Sequence, residues 1–90
     1  MQLNMLYHFP RAKFVDENGI YGQVSHINTE ATEAAAELGN TDITFVAMEV
    51  MDVYHSAETA LRILEEKYKV NIRDLMFAVY DKNKKRGYYP

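Results

Sequence analysis

"EATEAAAELGNTDITFVAMEVMD", residues 30–52, joins two segments of helical period across a Gly-Asn break. Each segment carries a carboxylate pair at the same three-residue spacing, Glu30 with Glu33 and then Glu49 with Asp52. Toward the N-terminus, Val24, Ile27, Ala31, Ala34 and Leu38 recur at alternate intervals of three and four, which is one apolar stripe on a first helix starting near Gly22. Gly39 and Asn40 are expected to close it in the left-handed conformation. Toward the C-terminus, Thr41 or Asp42 is expected to cap a second helix. Its stripe runs Ile43, Val46, Val50, Val53, Ala57, Leu61 and Leu64 to about Tyr68, making it the longest element. Asn71 with Asp74 reads as an N-cap and its reciprocal acid, opening a third helix through Ile72, Leu75, Met76 and Val79 that Gly87 ends. The fold class expected is all-α, with three main helices per chain.

Residues 1–21 have a different texture. "LNMLYHF" and "KFV" read as short extended pieces, Pro10 interrupts them, and "DENG" has the chemistry of a tight turn. The expected organisation is an N-terminal arm or short hairpin over 1–21 and a helical domain over 22–90. A chain of 90 residues is one domain near the lower limit for an independent core, so a partner chain is expected. The absence of cysteine excludes disulfides, thiolate metal sites and cysteine nucleophiles, and fits a reducing, cytoplasmic setting. No apolar run approaches the roughly 20 residues that span a bilayer, so no membrane partner is expected. With 10 basic and 13 acidic residues the net charge is −3, which gives no support to a nucleic-acid partner.

At about 100° of rotation per residue, His26, Glu30, Glu33 and Glu37 form a row flanking the apolar stripe of the first helix. Glu49 falls between the main stripe of the second helix and another apolar row of Phe45, Ala60 and Ile63, with Asp52 at that row's edge. A carboxylate drawn out of water loses hydration worth several kcal/mol unless a cation, a proton or donors replace it. A divalent cation would relieve both that cost and the mutual repulsion of four converging acids. Oxygen-only ligands favour a hard ion, Mg²⁺ or Mn²⁺. On the third helix, Lys82, Asn83 and Arg86 continue the Leu75-Met76-Val79 row. Arg86 offers a planar fork for phosphate, Lys82 a mobile charge and Asn83 paired donor and acceptor groups. An anionic metal cluster with a cationic clamp suits a polyphosphate substrate.

The sequence Glu30-x-x-Glu33, then Glu49-x-x-Asp52, then Lys82/Asn83-x-x-Arg86 resembles the all-α nucleoside triphosphate pyrophosphohydrolases, the MazG-like superfamily, over about residues 22–88. That family's motif runs Glu-Glu-x-x-Glu, a spacer, Glu-x-x-Asp and a Lys/Asn/Arg element. The resemblance implies that Glu30, Glu33, Glu49 and Asp52 are the catalytic, Mg²⁺-binding residues and that Lys82, Asn83 and Arg86 bind the substrate. It implies hydrolysis of a nucleoside triphosphate, (d)NTP, to the monophosphate and pyrophosphate by a homo-oligomer, dimer or tetramer, whose subunits complete four-helix bundles. Thr29 stands where the motif's first Glu would be.

Each feature also has a plainer reading. Glu30, Glu33 and Glu37 fit the solvated flank of an Ala-rich helix, and the C-terminal cations fit the negative end of a helix dipole. His55, three residues after Asp52, is the carboxylate-x-x-His spacing of di-iron bundles, which need two such pairs; it reads as an exposed histidine. His26 reads as a surface residue or as a partner of Glu30. Met48, Met51, Tyr88 and Tyr89 fit an oligomer interface. Besides the pyrophosphohydrolase, a catalytically silent module of the same fold and an oxygen-ligand transition-metal bundle therefore remain as alternatives.

Overall fold

The structure, a computed structural model, describes residues 6–39 and 42–90. Within them are four α-helices and no strand: α1 (Phe14–Glu17), α2 (Ile20–Ala36), α3 (Ile43–Tyr68) and α4 (Ile72–Lys85). A 3-10 turn, Glu37–Gly39, follows α2. The three long helices match the three segments of helical period. "KFV", expected to be extended, instead enters the one-turn helix α1, and the "LNMLYHF" stretch lies partly outside the described residues. A helical turn suits this segment because it sends the Val15 side chain to the core, where it is fully buried.

Local chemistry accounts for most boundaries. Asp42 caps α3 by accepting from the Thr44 amide at 2.9 Å, and Asn71 caps α4 by accepting from the Asp74 amide at 3.0 Å. At the end of α3, Lys69 takes φ 58° and the Val70 amide donates to the Leu64 carbonyl at 3.1 Å. The Lys69 amide reaches the same carbonyl, so α3 ends on a turn one residue wider than a Schellman closure, with lysine in the left-handed position that glycine usually fills. Gly87, at φ 78°, closes α4 in a Schellman turn, with the Tyr88 amide donating six-to-one to the Asn83 carbonyl at 3.0 Å. Among the described residues only Lys69 and Gly87 have positive φ, so α2 does not close through a left-handed Gly39; it tightens into the 3-10 turn. Thr41 and Asn40, also expected at this junction, lie outside the described residues.

α2 and α3 pack as an antiparallel hairpin, and α1 lies against α3. The line that α3 turns inward is Val46, Glu49, Val53, Ser56, Ala60 and Ile63, a three-four repeat that passes from half-buried to fully buried. α2 answers with Gln23, Ile27, Glu30 and Ala34, and its C-cap with Glu37. Both lines are displaced from the expected apolar stripes: Val24 and Leu38 of α2 are exposed, as are Ile43 and Val50 of α3. The reason lies in the polar members. Gln23, only 1% exposed, donates to the Ser56 carbonyl at 3.0 Å and accepts from Asn18 at 2.8 Å, so the hairpin closes at that end on a satisfied hydrogen-bond relay. Among the described residues the buried apolar ones are Val15, Ala60, Ile63 and Ile72.

The segment before α1 is strapped along α3. The buried Glu58 carboxylate accepts from the His8 amide at 2.9 Å and the Phe9 amide at 3.1 Å. Tyr54 meets the His8 ring, Tyr7 donates to Glu65 at 3.0 Å, and Arg62 donates to the Phe9 carbonyl at 2.6 Å. Arg11 bridges Asp16 and Glu66 at 2.7–2.8 Å. α4 engages α3 mainly through its first turn, around the buried Ile72 and Leu61. Beyond that, the Leu75-Met76-Val79 row expected to face inward is 39–47% exposed. Tyr89 stacks on Tyr80 with ring centroids 5.1 Å apart, while Tyr88 is exposed.

Candidate functional site

The hairpin brings Glu30 of α2 face to face with Glu49 and Asp52 of α3. One carboxylate oxygen from each lies within 4.8 Å of the others, a spacing that one small cation can span. Glu30 and Glu49 are half-buried and Asp52 exposed, so the group opens to solvent on one side. Their convergence follows from the inward lines of the two helices, on which Glu30 and Glu49 occupy the polar positions while Asp52 stands one row away.

Glu49 has the least accommodated carboxylate of the three. Its Oε2 is buried with no hydrogen-bond partner among the described residues. Burial pushes its pKa above the ordinary glutamate range, and the charges of Asp52, Glu33, Glu37 and Glu30 push it further the same way. Such a group binds a proton or a cation in preference to standing alone. Glu30 is better placed, since the His26 Nε2 lies 3.0 Å from its Oε1, one helical turn away. His26 is thus both surface-exposed and the partner of Glu30.

Glu33, expected as a fourth ligand, is exposed and outside the three-residue group, although it is near enough to bear on the ionisation of Glu49. Three residues of helix turn through about 300°, which carries Glu33 some 60° away from the line of Glu30. Thr29 is exposed as well, and its hydroxyl donates back to the Ser25 carbonyl at 3.3 Å.

Lys82, Asn83 and Arg86 lie on the last turn of α4 and its C-cap, with Lys82 and Arg86 exposed and Asn83 half-buried. Among the described residues no ion pair joins them to the acidic group, and the cavity that contains Glu30 and Asp52 takes no residue from α4. Within one chain the proposed clamp and the proposed ligands stand apart.

That cavity, of about 160 Å³, runs between α2 and α3 from Glu30 and Asp52 toward Phe14, with Gln23, His55 and Thr59 along it. Sequence reading missed Phe14, Gln23 and Thr59. The available signal was the run Ser56, Glu58 and Thr59, which interrupts an apolar helix with polar residues that nevertheless become buried. His55 also differs from its expected role as an exposed histidine. It is half-buried, stacked on Phe9 with centroids 4.4 Å apart, and its Nε2 is buried with no partner among the described residues. The arm supplies the reason, because Phe9 is held over the imidazole by the bonds that Glu58 and Arg62 make to its backbone.

The three carboxylates form an all-oxygen donor set, and the orphaned Glu49 Oε2 is an acceptor that an added cation would satisfy. The residues present therefore fit a hard divalent ion. Compared with protein-family models, curated proteins and solved structures, the chain matches none. Among the described residues no helix is long and apolar enough to cross a membrane.

Proposed function

We propose that this chain is a Mg²⁺-dependent nucleoside triphosphate pyrophosphohydrolase of the MazG-like kind, converting (d)NTP to (d)NMP and pyrophosphate as a homo-oligomer. The observation that carries the reading is Glu49, an acid drawn into the hairpin beside Glu30 and Asp52, with a buried oxygen that has no hydrogen-bond partner among the described residues. A structural role would have given that oxygen a donor. Glu30, Glu49 and Asp52 would hold Mg²⁺, with Mn²⁺ as a substitute, and Glu33 would contribute negative potential from the rim. When bound, the ion supplies charge neutralisation at the phosphates and acidifies water. His26 orients Glu30 through their 3.0 Å contact.

Lys82, Asn83 and Arg86 would engage the phosphates of a nucleotide bound to a neighbouring subunit. Supporting this is the state of α4 in the single chain: the row that leads to them, Leu75, Met76 and Val79, is apolar and largely uncovered, as are Val50 and Met51 of α3. A second copy burying these faces would enlarge a core that, among the described residues, has four buried apolar side chains. The test is pyrophosphate release from a panel of (d)NTPs with Mg²⁺, comparing wild type with Glu49→Gln. Turnover that the substitution abolishes in a folded protein supports the reading, and absence of turnover with every nucleotide defeats it.

Thr29 favours a second reading. Where the family's motif has a carboxylate, this chain has a hydroxyl turned back onto its own helix. A silent module that holds cation and nucleotide without cleaving would show nucleotide binding and no pyrophosphate in the same experiment.

A further inference from the structure

The apolar residues that the α2–α3 hairpin leaves outside its inward lines share one side of it. Val24, Ala31 and Leu38 follow Gln23, Glu30 and Glu37 by one position, and Val50 and Ala57 follow Glu49 and Ser56 by one. One position turns a helix by about 100°, and in an antiparallel pair equal turns of the two helices point to the same side. Ile43 lies two turns before Val50 on the same row. Val24, Leu38, Ile43 and Val50 are 53–74% exposed, and no position of this face is charged. α4 leaves the hairpin on the same side, from Leu61 and the buried Ile72, so that Leu75, Met76 and Val79 continue the face. His26, Glu33 and Asp52 instead follow members of the inward lines by three positions, about 60° the other way. The acidic group therefore opens on the opposite side.

The dimensions say how much surface is left without cover. A compact protein of 10.4 kDa exposes about 5,400 Å² by the scaling of surface with mass, whereas this chain exposes 6761 Å². Its radius of gyration is 14.8 Å, where about 12 Å is usual for 90 residues. The excess, about 1,400 Å² per chain, exceeds the roughly 800 Å² that each partner gives to a standard interface and falls in the range of obligate dimers.

We propose that a second copy of this chain covers this face about a two-fold axis, the two hairpins stacking as four helices. A face without charge meets its own copy without like-charge repulsion, and a two-fold contact requires only that one face complement itself. The relief suits that requirement. Leu38 and Ile43 are bulky at the loop end, while Ala57 and the angle between hairpin and α4 are low at the other. Turning one copy over sets each loop end into that angle of its partner. The contact stands without the nucleotide reading, and it adds where the copies meet and that this contact leaves both acidic groups uncovered.

The test uses the full chain. Sedimentation equilibrium should give at least the mass of a dimer, unchanged by Mg²⁺, by EDTA or by Glu49→Gln, because the contact lies away from the acidic group. Val50→Lys should weaken association a hundredfold or more. Met48→Lys, similarly exposed but on the other flank of Glu49, should change it less than twofold. The chain has no cysteine, so single cysteines map the contact without a disruptive variant. In the associated protein, Ala31→Cys should react with a maleimide tenfold or more slowly than Thr32→Cys, its neighbour on the outer surface; both positions are exposed in the single chain. Should Val50→Lys fail to fold, the protection of Ala31→Cys decides. A wild-type monomer, association that requires Mg²⁺, or an Ala31→Cys as reactive as Thr32→Cys overturns the proposal. Pyrophosphate release is measured separately, so the pyrophosphohydrolase reading stands or falls on its own.

Discussion

Replacing Glu58 by alanine should release the N-terminal strap and cost more stability than any single change on the solvent face of α3. The carboxylate is 5% exposed and takes two backbone amides, His8 at 2.9 Å and Phe9 at 3.1 Å. A hydrogen bond to a charged acceptor contributes about 1.5–3 kcal/mol, so two of them set a range of about 3–6 kcal/mol. The amides regain water once the strap lifts, and Tyr7, Arg62 and Arg11 still tether it, so the lower end, about 3 kcal/mol, is the expected loss. At about 4–8 °C per kcal/mol for a domain of this size, the melting temperature should fall by about 12–24 °C. Glu58→Gln keeps one carbonyl acceptor but turns an NH₂ toward the other amide, and should lose about half as much. The assay is thermal and urea unfolding by circular dichroism at fixed protomer concentration, because association would shift both midpoints. The pH dependence adds an internal check. Although burial, the largest single influence, would raise the pKa of Glu58, the amides of His8 and Phe9 together with the His8 ring and the Tyr54 hydroxyl hold the carboxyl below the ordinary glutamate value. Stability from this group is therefore full above about pH 4.3, the unfolded value, and is lost as pH falls through the lower folded value. A change below about 1 kcal/mol for Glu58→Ala, or a wild-type acid transition that the alanine variant reproduces unaltered, would refute the claim that Glu58 secures the strap.

Two further outcomes follow from the acidic group and from α4. Because burial and then its acidic neighbours raise the pKa of Glu49, the protonated form is favoured by folding, so the cation-free protein loses this contribution as pH rises through the folded value; added Mg²⁺ should raise the melting temperature more at about pH 8 than at about pH 5, and Glu49→Gln should flatten that difference. An equal Mg²⁺ effect at both pH values would count against a cation at Glu49. The double substitution Leu75→Asp, Val79→Asp should lower the mass seen by sedimentation equilibrium to that of the monomer while α3 keeps its helicity, and an unchanged mass would place the contact between copies elsewhere.

Legibility in the sequence tracked the range of the interaction. The Asp42 and Asn71 caps and the turn at Gly87 depend on residues within one helical turn, and each formed where its local chemistry pointed. The three helical periods were equally plain. Which part of each apolar arc faces the neighbouring helix was not, because periodicity locates an arc and not the partner that covers it. The choice fell on Ala60 and Ile63 of α3, the second row, through the Gln23–Ser56 bond between residues 33 apart. Glu49 was legible as an acid inside an apolar arc, and Glu30 as its counterpart on α2. Spacing alone did not separate Glu33 from Asp52, each three residues beyond its partner, although only Asp52 joins the group of three. The strap escaped notice for the opposite reason, since "LNMLYHF" gives no sign that its amides meet a carboxylate far along the chain.

That distance sets an order of events during synthesis. The His8 and Phe9 amides precede their acceptor, Glu58, by about fifty residues, which at about 5–20 residues per second takes roughly 3–10 seconds to translate. Helices elongate within nanoseconds per residue, so α2 can form long before Glu58 exists. Through that interval the strap and Val15 have no α3 to dock against, and a segment made before α3 finds its place only after it. A protease or chaperone acting on nascent chains would meet residues 6–15 in an open state that the finished protein no longer displays.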